Sequence, residues 1–190
     1  MRIGLFSGSF DPIHIGHLII AEYMCEYEGL NEVWMSVSPQ NPLKKSENLT
    51  DDRHRIAMVK AAIAGSSVLK YCDIESRLPV PSYTANTLRA LSDAYPKHEF
   101  SLIIGADNWK VFDKWKDYKY IIENYKIMIY PRPGYDIEQS TLPAGITMYD
   151  TPVIGISSTF IREGFGSGKH MNYYVARNVY DYIIKNGLYK

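Results

Sequence analysis

Near the start of the chain, Gly8-Ser9-Phe10-Asp11-Pro12-Ile13-His14-Ile15-Gly16-His17 groups small residues with two histidines three positions apart. Ser7, Gly8 and Ser9 let a phosphate come close to the backbone without meeting a bulky side chain. A spacing of three puts His14 and His17 on one face of a first helical turn. Free N–H groups and the positive end of the helix dipole favour anions at that place. Two imidazoles there suit a reaction in which negative charge builds on a phosphoryl group. Gly16 between them leaves space for a base or a ribose. The run is not the G-x-G-x-x-G dinucleotide fingerprint, and it is not a Walker loop, because no G-K-[ST] follows. The plainer use of the same residues is a tight turn with two surface histidines.

A second group comes late, at Ile156-Ser157-Ser158-Thr159-Phe160-Ile161-Arg162. The two serines and Thr159 supply hydroxyls at a loop-to-helix junction. Arg162, about one turn on, can clamp phosphate oxygens. Taken alone, the segment reads equally well as a Ser/Thr helix cap with an arginine in solvent. With the first run it makes a pair able to surround one triphosphate, provided the fold brings both to one edge.

The elements that must do so can be read from periodicity. Apolar runs predict strands at Ile3–Phe6, Val33–Val37, Val68–Ile74, Phe100–Ile104, Lys126–Tyr130 and Ile146–Tyr149. Helices are expected at His17–Glu28, after a Thr50 cap with Asp51 and Asp52 in the first turn, at Thr84–Ala94, at Tyr118–Tyr125, and from Asn172 to Lys185. Ser157–Glu163 reads as the start of another, followed by a flexible loop from Gly164 to Gly168. Strands alternating with helices imply an α/β fold: a Rossmann-like, doubly wound parallel sheet with helices on both faces. Ligands of such sheets sit beyond the carboxyl ends of the strands. No linker or repeat divides residues 1–190, so one domain is expected.

Lys+Arg and Asp+Glu are 21 each, which argues against a broad nucleic-acid or membrane surface. No run reaches the roughly 20 apolar residues of a membrane span. Cys25 and Cys72 show no metal-ligand spacing, and no protein metal site is expected. A cytoplasmic location follows as the expectation. Sixteen tyrosines stand out. Core and rim packing, or an interface in a homo-oligomer, would use them.

His-Ile-Gly-His is similar to the T/H-x-G-H signature of the nucleotidyltransferase superfamily, which also includes class I aminoacyl-tRNA synthetases. The chain lacks the length for a synthetase with a tRNA-binding domain. Ile156–Arg162 resembles the I-S-S-T-x-I-R motif of the nicotinate mononucleotide adenylyltransferases. Ser82-Tyr83-Thr84 with Thr87, Gly105-Ala106-Asp107 with Trp115, Asn41–Lys45, and Tyr182-Ile183 with Gly187-Leu188-Tyr189 resemble further motifs of that family. The likeness covers nearly the whole chain.

That resemblance implies transfer of the adenylyl group of ATP to nicotinate mononucleotide, giving deamido-NAD and pyrophosphate in NAD biosynthesis. It implies Mg²⁺ with ATP, and ATP and nicotinate mononucleotide as partners. His14, His17 and Arg162 would be catalytic. Gly8, Ser9, Phe10, Lys45, Ile156, Ser157, Ser158 and Thr159 would bind ATP. Thr84, Gly105, Asp107 and Trp115 would bind the nicotinate nucleotide, with Trp115 stacked on the pyridine ring. Without the resemblance, Trp115 reads as a core anchor, Asp107 as a helix cap and the lysines as solvated charges. Ser7 departs from a usual glycine, Asn86 from a frequent Asp and Ala176 from a common proline. Leu43 and Lys44 replace a Pro-His, leaving open whether Lys44 or Lys45 faces the phosphates. The competing acceptors are nicotinamide mononucleotide, phosphopantetheine and FMN, and the competing class is a non-catalytic nucleotide-binding protein.

Overall fold

A computed structural model describes residues 1–39 and 49–190. The chain runs β1 (Arg2–Gly8), α1 (Ile15–Glu26), β2 (Glu32–Val37), α2 (Asp52–Ala62), β3 (Leu69–Cys72), α3 (Thr84–Ala94) and β4 (Glu99–Gly105). It continues through α4 (Ala106–Trp109), α5 (Tyr118–Asn124), β5 (Lys126–Tyr130), β6 (Ile146–Met148), α6 (Ser158–Gly166) and α7 (Arg177–Asn186). All strand pairs are parallel, in the order β3-β2-β1-β4-β5-β6. The order reverses direction between β1 and β4, which opens a crevice above their carboxyl ends.

Period-two alternation explains the two-sided sheet. Phe6, Val33, Met35, Ile103 and Met128 point to one face and pack with Met24 of α1, Met58 of α2, Ile161 of α6 and Val179 of α7. Ile3, Leu5, Leu102, Ile104 and Ile129 point to the other and pack with Leu88 of α3 and Ile121 of α5. Each such side chain, taken fully out of water, stabilises the fold by about 1.5–3 kcal/mol. The expected doubly wound α/β fold is therefore present. Among the described residues no helix is long and apolar enough to cross a membrane.

Five expectations about the elements need correction. The first helix begins at Ile15, because His14 is already its N-cap, and it stops at Glu26. Asp51, not Thr50, caps α2, accepting the Arg53 N–H at 2.9 Å; the Thr50 carbonyl is taken by Arg55 Nε. The third strand ends at Cys72. A 3-10 turn at Ile74–Arg77 follows, tied back to Asp73 by the Ser76 hydroxyl and the Arg77 guanidinium. The helix from Ser158 runs through to Gly166 in place of a loop from Gly164. Gly164 serves close packing there, since a Cβ would strike the Met171 sulfur. The last helix starts at Arg177, not Asn172, because the Tyr174 carbonyl is held by the Ile15 N–H at 3.0 Å. The tyrosines serve several ends: Tyr130 is core, Tyr125 bonds Ser92, and Tyr27 and Tyr173 are exposed.

Candidate active site

A cleft of about 460 Å³ opens over the carboxyl ends of β1 and β4. Three helices begin on it. His14 caps α1, Tyr83 caps α3 and Ser157 caps α6, so three sets of N-terminal N–H groups serve one cleft. The parallel topology produces this, because each of these helices follows a loop leaving the same edge of the sheet.

His14 and His17 are stacked, with ring centroids 3.7 Å apart. The His14 backbone N–H donates to His17 Nδ1 at 3.2 Å. Nδ1 is thereby the accepting nitrogen, and the neutral ring carries its proton on Nε2, which makes that atom a donor. Phe6 and Phe10 meet the His17 ring edge-on at 5.9 and 5.0 Å. His14 is buried. Burial, and next the Arg132 guanidinium, hold its imidazole down at about 4. The His14 ring is thus neutral near neutral pH and lines the cleft beside that of His17. Gly16 has a use within the protein itself. The His14 ring already lies 3.1 Å from where its Cβ would stand, so the glycine makes room for the imidazole.

The late segment joins this group. Ser157 accepts the Phe160 N–H at 3.2 Å, which is the Ser/Thr cap foreseen. Ser158 donates to the Pro12 carbonyl at 3.0 Å, and Arg162 Nη1 donates to the Asp11 carbonyl at 2.7 Å. Two segments some 150 positions apart are therefore hydrogen-bonded at one edge. Phe10 adopts a left-handed φ of 46°, an uncommon conformation for a bulky residue, and it is buried between Phe6 and His17.

A second group lines the same cleft. Thr84 starts α3. Trp115 follows β4 by way of α4 and packs on Phe112 at 5.0 Å. Lys116 holds its ammonium 4.5 Å from the Tyr83 ring centroid, a cation–π contact between the two loops. Arg89 of α3 pairs with Asp117 at 2.9 Å, tying that helix to the Trp115 turn.

Of the residues expected to bind, Gly8, Ser9, Phe10, His14, His17, Thr84, Gly105, Trp115, Ser157, Ser158, Thr159 and Arg162 line the cleft. Ile156 packs instead on the core. Asp107 is not among the lining residues, and its carboxylate lies 3.4 Å from Arg132 Nε. Lys45, with Lys44, lies outside the described residues. Sequence reasoning missed Glu75, Arg132, Lys114, Lys116 and the buried Arg55. Arg132 and Glu75 follow β5 and β3, so the carboxyl-end rule could have found them. Arg55 carried no such signal. Its guanidinium, fully buried, bonds the carbonyls of Thr50, Ser9, Ser38 and Pro39 and pairs with Asp52.

The charge in the cleft differs from that of the whole chain. Lys114, Lys116, Arg132 and Arg162 line it against Asp11 and Glu75. The Asp11 carboxylate is held by the Tyr189 hydroxyl and the Thr50 N–H, one on each oxygen. Glu75 accepts the hydroxyls of Ser7 and Ser82, yet burial pushes its carboxyl above the ordinary value, toward the neutral acid. A neutral protein thus presents a cationic cleft. Three buried side-chain nitrogens on lining residues, His14 Nδ1, Trp115 Nε1 and Arg132 Nε, find no hydrogen-bond partner among the described residues.

Comparison with known proteins agrees with this geometry. The cytidylyltransferase-like family model matches residues 5–164. A Bacteroides fragilis (strain YCH46) protein named "Probable nicotinate-nucleotide adenylyltransferase" is 48% identical over 97% of this chain and 92% of its own. A Flavobacterium johnsoniae protein of the same name is 46% identical over 100% of both chains. Among solved structures, Plasmodium falciparum nicotinic acid mononucleotide adenylyltransferase complexed with NaAD superposes with a TM-score of 0.84. It covers 99% of this chain and 97% of its own at 24% identity, and at that identity it shows the shared fold. The chain belongs to the cytidylyltransferase-like family and, within it, to the nicotinate-nucleotide adenylyltransferases.

Proposed function

We propose that the chain works as one nucleotidyltransferase domain that transfers the adenylyl group of ATP to the phosphate of nicotinate mononucleotide, giving deamido-NAD and pyrophosphate. The observation that carries this reading is the meeting of His14, His17, Ser158, Thr159 and Arg162 on one cationic cleft. The solved relative's complex with NaAD, and another with APC, support a nucleotide in the corresponding place.

The attacking phosphate is an anion near neutral pH, so no base needs to activate it. Its oxygen attacks the α-phosphorus in line, and the bond to the pyrophosphate oxygen breaks. Charge then builds on the equatorial oxygens and on the leaving group. Positioning and charge stabilisation must lower that barrier. His17 donates through Nε2–H. His14 and Arg162 act beside it, with Gly8, Ser9, Phe10 and Ser157 shaping the ATP site. Lys45 is assigned to the phosphates on resemblance alone. Mg²⁺ prefers oxygen donors, which a triphosphate supplies. Among the described residues no group of three His, Cys, Asp or Glu could hold a metal ion. Mg²⁺ would arrive with ATP and would there offset phosphate charge.

Thr84, Gly105, Asp107 and Trp115 are assigned to the acceptor. Trp115 offers a flat platform for a pyridine ring. Lys114 and Lys116 stand beside it. A carboxylate on that ring is stabilised by such cations, whereas a carboxamide gains little. Asp107 acts at one remove, by holding Arg132. The test is pyrophosphate release with MgATP and, in parallel, nicotinate mononucleotide, nicotinamide mononucleotide, FMN and phosphopantetheine. Fastest turnover with the nicotinate form, with deamido-NAD as the product, is expected. Faster turnover with any other acceptor contradicts the reading, and no release with any of them would favour a binding protein.

A further inference from the structure

The closing Tyr182–Tyr189 segment has no task in the reaction just described. Both of its terminal hydroxyls are nevertheless bonded, and to different parts of the molecule. Tyr182 meets His54 Nδ1 at 2.9 Å, which fastens α7 to α2. Tyr189 reaches further. Its hydroxyl donates to Asp11 Oδ1 at 2.6 Å, in the loop between β1 and α1.

The chain is bent to make that contact. Gly187 ends α7 in a left-handed conformation, and Leu188 N–H returns to the Ile183 carbonyl at 3.1 Å. Tyr189 itself has a φ of 63°. A tyrosine rarely adopts that conformation, and it persists only where other contacts hold it. Its ring lies along Phe165 of α6, with centroids 6.2 Å apart.

Asp11 is 1% exposed, and each of its oxygens has a partner. Oδ1 takes the Tyr189 hydroxyl, and Oδ2 takes the Thr50 N–H at 3.2 Å. The backbone carbonyl takes Arg162 Nη1 at 2.7 Å. A buried carboxylate that loses a donor seeks another. The guanidinium of Arg162 is already bound to the same residue.

We propose that Tyr189 is a positioning residue for ATP: through Asp11 it fixes the loop that carries His14 and keeps Arg162 directed at the triphosphate. The inference rests on the adenylyl transfer proposed above. With the hydroxyl gone, the Asp11 carboxylate competes with phosphate for the Arg162 guanidinium. Binding of the second nucleotide, which lies with Trp115, is untouched.

Tyr189→Phe tests this, because it keeps the ring against Phe165 and removes one oxygen. Steady-state kinetics should show kcat/KM for ATP lowered roughly tenfold, the size expected for one lost charge-assisted hydrogen bond. KM for the mononucleotide should stay at the wild-type value. Tyr182→Phe removes a comparable bond from the same tail without touching the loop, and it should keep wild-type kinetics. Melting temperatures of both variants are measured alongside. Wild-type kcat/KM for ATP in Tyr189→Phe would overturn the proposal. Equal losses in the two variants would overturn it too, as the mark of a general loosening of α7. Absence of turnover by the wild-type protein would instead remove the reaction itself, and this inference with it.

Discussion

The loop that carries His14 and the turn that carries Trp115 line the same cleft, yet they are built in opposite ways. Around His14 the backbone is fastened at nearly every step. Arg55 holds the Ser9 carbonyl, Arg162 that of Asp11, Ser158 that of Pro12, and Tyr189 the Asp11 carboxylate. Around Trp115 the contacts are fewer and partly exposed: Lys116 over Tyr83, Arg89 with Asp117, Trp115 on Phe112. The difference fits the two jobs proposed for them. Charge that develops on phosphorus is stabilised only by donors already in place. A planar ring and its carboxylate need a platform and a favourable field, which looser groups supply.

Substitutions should split along that line. The largest effect is expected for His17→Ala, which removes a fixed N–H donor. Its kcat should fall on the order of a thousandfold, the cost of losing one preorganised donor, as measured by pyrophosphate release.

Next comes the cost of burying His14. Its folded value of about 4 lies below the ordinary 6.5. Between those two values the unfolded chain takes up a proton that the folded chain refuses. Stability is therefore complete above pH 6.5 and is lost as pH falls toward 4, by about 3 kcal/mol in all. Urea unfolding of the wild type at pH 7 and pH 4.5 should show most of this loss, and His14→Gln should show much less.

On the other side, Trp115→Ala should raise KM for the mononucleotide by about tenfold or more, the usual worth of one stacked ring. The smallest effect belongs to Lys116→Met. It should lower the preference for nicotinate over nicotinamide mononucleotide by about threefold, since an exposed charge is largely screened. Added salt should have the same effect on the wild type.

The two regions also differed in how far the sequence revealed them. The sheet was legible because its strands are apolar runs that fill both faces, and β5 and α3 were placed to the residue. The His14 side of the cleft was legible because its residue types are unusual together: two histidines around a glycine, then three hydroxyls and an arginine. What escaped was long-range. The burial of Arg55 depends on four carbonyls brought together by the fold, and no local pattern encodes that. The start of α7 depends on a bond from Tyr174 to Ile15, across most of the chain. Gly164 read as a loop because its packing against Met171 is a tertiary fact. Glu75 was passed over because it falls in a short 3-10 turn that continues a strand-like run.

The central claim is that one side of the cleft performs the transfer and the other selects the acceptor. Its most direct test is a crossed measurement of kcat and of KM for nicotinate mononucleotide in His17→Ala and Trp115→Ala, under one set of conditions. The account predicts that His17→Ala loses kcat with KM nearly unchanged, and that Trp115→Ala loses affinity while retaining most of kcat. If both variants lose the same parameter, or if His17→Ala keeps the wild-type kcat/KM, the division of labour is contradicted.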